Sequence, residues 1–415
     1  MSENVYIYAV GMTKFGKFLD TSMKKLTAQA LDSLKKDFNQ DIGLVEAAWF
    51  SNSGWGMRSD QHCIRGQVAL SANGISEIPM INVENACAGG STALHGAWTA
   101  VKAGLYDCCL AIGTEKVYHE NRKMMMESFI TGTDVEKTRK LIEQLKKIAA
   151  MKKKRLAKKQ GKEVKKEKKG GHSAFMDLYA AAARSHMKRF GTTQRQLAVI
   201  AAKNHTNSSL NPLAQYTFPM TVDEVLNDYL VAYPLTRSMC APVGDGSAAA
   251  IVVSEKFFED HPIDNAIRIR ASALQSGSWK QDDISRRTAD MAYKMSGLTA
   301  QDIDVAEVHD ATAFGELHQI EEMAFCPEGQ GGPFSESGAT QLDGKIPVNP
   351  SGGLISRGHP IGASGLAQIY ELVTQLRGEA GKRQIKNPKI ALAENGGGNI
   401  GPGEAAMCVH IIEKI

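Results

Sequence analysis

No apolar run in the 415-residue sequence approaches the roughly 18 residues that would cross a membrane as a helix, so a membrane-spanning protein is not expected. Met1 to Val5 lack the basic and then apolar regions of a secretion signal. The seven cysteines are an odd number and are scattered without metal-ligand spacing, so neither a disulfide framework nor a zinc motif is visible. These absences point to a reducing, cytoplasmic location. Aromatic residues are only 7% of the chain, and none interleaves with its most basic stretch, which argues against a nucleic-acid-binding surface. Net charge is low as well, at +4, but it is very unevenly placed.

Small and apolar residues are abundant: 39 glycines, and 43% hydrophobic residues overall. That composition suits a large α/β core with many tight strand–helix turns. Apolar strand patterns at Val5 to Val10, Val45 to Phe50, Cys108 to Gly113, Ala248 to Val253, Ile267 to Leu274 and Val305 to Val308 alternate with helical ones. The alternation predicts an α/β fold with a mainly parallel sheet. Leu210 to Pro234 reads as loop. The segment from Lys137 to Lys169 stands apart, with 16 Lys or Arg against three Glu. Its first part has one apolar helical face, and its second part has almost none. An inserted helix followed by a mobile basic arm is the reading, either a solvated extension or a docking surface for an acidic partner or anionic substrate.

Asn85-Ala86-Cys87-Ala88-Gly89-Gly90-Ser91 lies between the extended run Ile78 to Val83 and a helical pattern from Thr92 to Ala103. A strand, a turn of small residues and a helix in that order form a nucleophile elbow with cysteine at its centre. The helix N-terminus is expected to lower the thiol pKa. A buried core cysteine is the competing reading. Downstream, His309-Asp310, His359 within a run of small residues, and a Gly-rich turn starting at Asn395 stand out. An imidazole is a suitable base for a thiol, and Gly-rich backbone can hold an oxyanion, so the four turns together describe acyl-thioester chemistry. The Cys87 and His359 turns both precede a long amphipathic helix and then a strand, a weak internal repeat.

Asn85 to Ser91, Asp245 to Ala250, His309 to Ala313, Asn349 to Gly365 and Asn395 to Gly401 stand in the order of thiolase motifs. The chain resembles the thiolases over nearly its whole length, the basic insertion excepted. Gly-His-Pro-Ile-Gly-Ala-Ser-Gly at 358–365, combined with the cysteine elbow, is the most specific part. His309-Asp310 in place of Asn-Glu makes it similar to the sterol-carrier-protein-type and archaeal branch. The resemblance implies a thiolase fold: two similar βαβαβαββ halves in a five-layer αβαβα arrangement, with a homodimeric core. The halves would be residues 1–254, with a loop region at about 115–235 that includes the Lys-rich insertion 137–169, and residues 255–415.

The same resemblance implies roles. Cys87 would be acylated, and His359 would activate it. His309 would hold the oxyanion site for an enolate, and the amides of Cys87 and Gly397 would form a second oxyanion hole. A 3-oxoacyl-CoA would be cleaved by coenzyme A as co-substrate, with no permanently bound cofactor and no metal. One departure stands out: the second catalytic cysteine of the family is replaced by Asn395, preceded by Glu394, and Ala311 stands where some relatives carry another cysteine. Glu394, a water held by His309 and Asn395, or a group of the substrate or a partner is the candidate acid/base. A small zinc-ribbon/OB-fold partner protein is expected beside the homodimer, and an aromatic substrate such as 2-benzoylsuccinyl-CoA fits the general look of the chain. A partner-dependent acyl-CoA-binding subunit without catalysis, and a C-acyltransferase working only in the synthetic direction, are the alternatives.

Overall fold

The computed structural model describes residues 4–121, 125, 129–140, 143–144, 174–281 and 283–415. Most of the Lys-rich insertion therefore lies outside the described residues. Its start is helical at 135–140, and Lys137 places its ammonium 3.4 Å from the centre of the Trp279 ring.

The first half runs β1 (Val5–Met12), α1 (Met23–Phe38), β2 (Ala47–Ser51), α2 (Arg65–Ser71), β3 (Met80–Val83), α3 (Gly89–Lys102) and β4 (Cys108–Lys116), and closes with β5 (Asp245–Ser254). Between β4 and β5 lie the long helices α4 (Ala174–Phe190) and α5 (Gln194–Ser209). The second half runs β6 (Ile267–Ser276), α6 (Ile284–Ser296), β7 (Val305–Glu307), α7 (Ala313–Glu322), α8 (Ser364–Arg377), β8 (Ile390–Gly397) and β9 (Ala406–Lys414). Local chemistry sets many boundaries. Ser22 caps α1 by accepting from the Lys25 amide, and Asn39 ends it in the left-handed region. Gly297 ends α6 at φ 71°, in the left-handed region that favours glycine.

Nine strands join in the order β3-β2-β4-β5-β1-β6-β9-β8-β7. Among the described residues the two half-sheets pair where Tyr6 and Ile7 of β1 face Arg268 and Ile267 of β6. Within the first half the order is β3-β2-β4-β5-β1. The second repeats it as β7-β8-β9-β6, and Val348, bridged in parallel to Ala306, stands in for the missing outer strand. The internal repeat is thus real at the level of strand order.

The expectation of a mainly parallel sheet is corrected. Only β2–β3, β2–β4 and β7–β8 pair in parallel, and the other five pairings are antiparallel. Parallel neighbours need a long crossover, and β8 and β9 are joined only by the short segment 398–405, which returns the chain antiparallel. The segment 210–234 is also less irregular than its composition suggests. It holds a short helix, Val222–Leu226, capped by Thr221, and the strand Leu230–Ala232.

Helices α3 and α8 pack on each other and are sandwiched between the half-sheets, with α1 outside one and α6 outside the other, giving five layers. The largest apolar cluster lies in the middle and joins Leu94, Ala97 and Val101 of α3 with Leu366, Ile369 and Leu372 of α8 and residues from both half-sheets. Burying both central helices on two sides fixes their N-termini close together. The Cys87 and His359 turns stand at those two ends.

Candidate active site

The nucleophile elbow forms as the sequence predicts. Strand β3 ends at Val83, the chain turns through Asn85 to Ala88, and α3 begins at Gly89. Ala86 is held at φ 47°, a conformation that side chains disfavour, immediately before Cys87. Gly397 comes so close that a Cβ there would lie 2.3 Å from the Asn85 carbonyl oxygen and 2.4 Å from the Ala88 amide nitrogen. Only glycine allows the end of β8 to approach the elbow this closely.

The His359 turn docks against the same elbow. Gly362 sits over Gly113 of β4, where a Cβ would be 2.0 Å from the Gly362 carbonyl oxygen. Its amide donates to the buried Glu115 carboxylate at 3.0 Å, and Val243 bridges to His359. Nε2 of His359 then lies 3.2 Å from the Cys87 Sγ, and Nδ1 lies 2.7 Å from the Ser364 Oγ. The Ser364 hydroxyl donates to the Pro360 carbonyl at 2.9 Å, so its oxygen accepts from Nδ1–H. That assignment leaves Nε2 as the unprotonated nitrogen facing the thiol.

His309 is the third member. Its ring lies edge-on to His359, with centroids 5.3 Å apart, and Asn395 donates from Nδ2 to its Nδ1 at 3.0 Å. Nε2 of His309 therefore carries the proton in this arrangement and is the free donor. The His309 amide donates to a Glu394 carboxylate oxygen at 2.7 Å. Glu394 and Asn395 are fully buried and belong to β8, paired with Val409 and Cys408 of β9. The expected Gly-rich turn at Asn395 is thus corrected to the end of a strand, and the chain leaves the sheet only after Gly397. Antiparallel pairing with β9 satisfies the backbone groups that a turn would have left free.

Burial decides the electrostatics. The Cys87 thiol is pushed up to about 12, by desolvation first and then by the Glu115 and Glu84 carboxylates. This corrects the expectation of a thiol lowered by the helix terminus. The amides of Gly398 and of Cys87 itself act downward, but loss of solvent outweighs them. The imidazole of His359 is held well below its ordinary range by desolvation, by His309 and by the Arg357 guanidinium. His309 is lowered to about 4 by desolvation and Arg357. At rest the site is a neutral thiol beside two neutral imidazoles. Burial raises the Glu394 carboxyl to about 8, against the His309 amide, which favours its charged form.

Cys87, His309 and His359 open onto a cavity of about 890 Å³. Gly396 to Gly398 line it next to the cysteine, whereas Glu394 and Asn395 stand behind that wall. Phe129, Phe175, Tyr179 and Phe314 give it a largely apolar, aromatic face. Three residues that the sequence did not single out belong here. Ser364 fixes the His359 tautomer, while Tyr179 and Glu404 line the cavity with Cys87. The hydroxyl of Tyr179 is raised well above its ordinary range, by burial first and then by Glu404 and Cys87. Ser364 was visible as a helix-start serine five residues after His359; nothing local marked Tyr179 or Glu404.

Residues 5–225 match the thiolase N-terminal domain family, and residues 272–409 match the family described as thiolase C-terminal domain-like. The chain is 36% identical to an acetyl-CoA acetyltransferase of Methanothermobacter thermautotrophicus, covering 99% of this chain and 100% of that one. It is 32% identical to the benzoylsuccinyl-CoA thiolase subunit BbsB of Thauera aromatica, covering 96% of each chain. Among solved structures, the Ltp2-ChsH2(DUF35) aldolase has the same fold, with a TM-score of 0.73 over 98% of this chain and 97% of that one, at 20% identity. The chain belongs to the thiolase family, and its enzyme class is acyl-CoA C-acyltransferase.

Proposed function

We propose that this enzyme cleaves a 3-oxoacyl-CoA with coenzyme A through an acyl-Cys87 intermediate. The 3.2 Å approach of His359 Nε2 to the Cys87 Sγ carries the reading. The thiol proton passes to Nε2 as the sulfur attacks the 3-keto carbon. The amides of Cys87 and Gly397 hold the resulting oxyanion. The bond between C2 and C3 breaks, the acyl group stays on Cys87, and the electron pair becomes an enolate on the departing CoA thioester. His309 Nε2–H and the protonated His359 stabilise that enolate oxygen, and C2 takes from His359 the proton that Cys87 gave up, which leaves the imidazole neutral again. Coenzyme A then gives its thiol proton to His359 as its sulfur attacks the acyl-Cys87 carbonyl; the thioester to Cys87 breaks, and the departing Cys87 sulfur takes that proton back. In this reading Glu394, whose carboxyl stays protonated in the neutral range, and Asn395 tune His309 and supply the proton reserve behind it.

The aromatic wall of the cavity and the likeness to a benzoylsuccinyl-CoA thiolase subunit support a ring-bearing acyl group, with 2-benzoylsuccinyl-CoA as the specific candidate. That relative is a subunit, and the structural neighbour bears two protein names, which supports a partner chain; a small zinc-ribbon/OB-fold protein is the proposed one. A homodimer is proposed across β3, an outermost strand whose Ile81 is 40% exposed. The two halves are taken to divide at 254/255. Seven free cysteines and the lack of any described helix long and apolar enough to cross a membrane fit a cytoplasmic enzyme.

Intact mass after incubation with a panel of acyl-CoA and 3-oxoacyl-CoA thioesters, aromatic and dicarboxylic ones included, tests the reading. An acyl adduct on the wild type and none on Cys87→Ala is the expected result. No adduct on the wild type with any thioester, with or without proteins co-purified from the host, overturns it.

A further inference from the structure

We infer that Cys87, His309 and His359 form a three-donor site for a thiophilic divalent cation such as Zn²⁺, and that its occupancy switches the nucleophile off. Among the described residues they are the one group of three or more Cys, His, Asp or Glu side chains whose donor atoms lie within 4.8 Å of one another. Thiolate and imidazole each ligate zinc, and three protein ligands leave a fourth position for water or substrate. A tetrahedral zinc ion bonded at about 2.0–2.3 Å keeps its ligand atoms roughly 3.5 Å apart. The 3.2 Å between Sγ and His359 Nε2 is already near that value, so the third donor needs only a modest shift.

The surroundings orient the rings for a metal. His359 donates Nδ1–H to Ser364, the outer-shell bond that fixes a ligating imidazole with Nε2 free. His309 now receives a hydrogen bond at Nδ1 from Asn395 Nδ2. The Oδ1 of the same amide is buried and has no hydrogen-bond partner among the described residues. Half a turn of the amide presents that oxygen to Nδ1–H instead and frees Nε2 of His309 as a donor. Asn395 can therefore serve both the catalytic tautomer and the metal-binding one. The cavity supplies the entry path. On binding, the thiol proton passes to the buffer, a sulfur–metal bond forms, and the cation sheds water molecules. The sulfur can no longer attack a thioester while the metal holds it.

The donor set stands without the acyl-transfer reading, and the first experiment requires no turnover. Chelator-treated full-length protein carrying Cys63→Ser, which removes the exposed cysteine, is titrated with Co²⁺ as a coloured stand-in for zinc. Tetrahedral cobalt bands with a thiolate-to-cobalt charge-transfer band are expected at one equivalent. Zn²⁺ should bleach them. Prior alkylation of Cys87 in the folded protein, confirmed by mass, should abolish the charge-transfer band. His309→Asn should weaken binding by at least about tenfold, the scale on which even outer-shell changes act. Charge transfer that survives Cys87 alkylation, or an affinity unchanged in a His309→Asn protein of native circular dichroism, overturns the site. Zn²⁺ should also block acylation of Cys87 in a way that chelator reverses. Metal binding without an effect on acylation overturns the switch but not the site, and absent acylation in metal-free protein overturns the proposed function instead.

Discussion

Nε2 of His359 lies 3.2 Å from the Sγ of Cys87, across 272 positions of sequence. Everything proposed for catalysis depends on that approach, and it rests on one serine and several glycines. Ser364 holds the far side of the imidazole at 2.7 Å. Ser364→Ala should lower kcat about tenfold with little change in KM, a fraction of what a full general base contributes. Steady-state kinetics beside a melting curve checks this: the loss should appear without a comparable fall in melting temperature.

His309 presents Nε2–H toward the cavity while Asn395 occupies Nδ1. His309→Ala should cost about 10²–10³ in kcat, the scale of one lost oxyanion donor. His309→Asn should recover part of that loss, because an amide can still donate. Equal losses in the two variants, measured under single-turnover conditions, would point away from an oxyanion role.

The Glu394 carboxyl, raised to about 8 by burial, is protonated at neutral pH. If its proton serves the enolate, kcat should fall as pH rises through about 8, and Glu394→Gln should remove that limb. The stability sign follows from linkage. The folded state keeps a proton that the unfolded chain releases near pH ~4.3, so this group's contribution is fully present below that pH and is lost as pH rises through about 8. Melting curves across that window should decline more in the wild type than in Glu394→Gln.

Gly397→Ala would place a Cβ 2.3 Å from the Asn85 carbonyl oxygen and 2.4 Å from the Ala88 amide nitrogen. Both contacts are backbone, so the elbow itself must move. A stability loss of about 1–3 kcal/mol is expected, as for other overpacked sites. A larger proportional loss of Cys87 acylation should accompany it, read by denaturant unfolding and by intact mass.

Arg357 is fully buried and bonds Glu307 at 2.9 Å, while it also depresses both site imidazoles. Burial raises the Glu307 carboxyl to about 7 against the pull of that guanidinium, so the pair is fully charged only above that pH. There Glu307→Gln leaves the guanidinium without its counter-charge and should destabilise the fold by about 3–5 kcal/mol. Chemical denaturation of the variant and the wild type above and below pH 7 is the check: the difference should be larger on the alkaline side.

The sequence by itself determined the elements that local chemistry dictates. Small residues between an extended run and an amphipathic pattern made the Cys87 elbow readable. The repeat of the Cys87 and His359 turns was legible because both precede a helix that the same middle layer buries. Sheet direction was not legible, since antiparallel and parallel strands buried on both faces share one apolar pattern. Nor was the strand at Asn395, where glycines imitate a turn until β9 pairs with them. The thiol's ionisation was decided by tertiary structure, because a helix terminus acts locally whereas desolvation needs the whole fold to close around Cys87. The gathering of Cys87, His309 and His359 within 4.8 Å was decided in the same way. Their motifs mark them as a candidate catalytic set, but their spacing carries no metal signature, and the packing of α3 against α8 between the two half-sheets is what brings the Cys87 and His359 turns to one point.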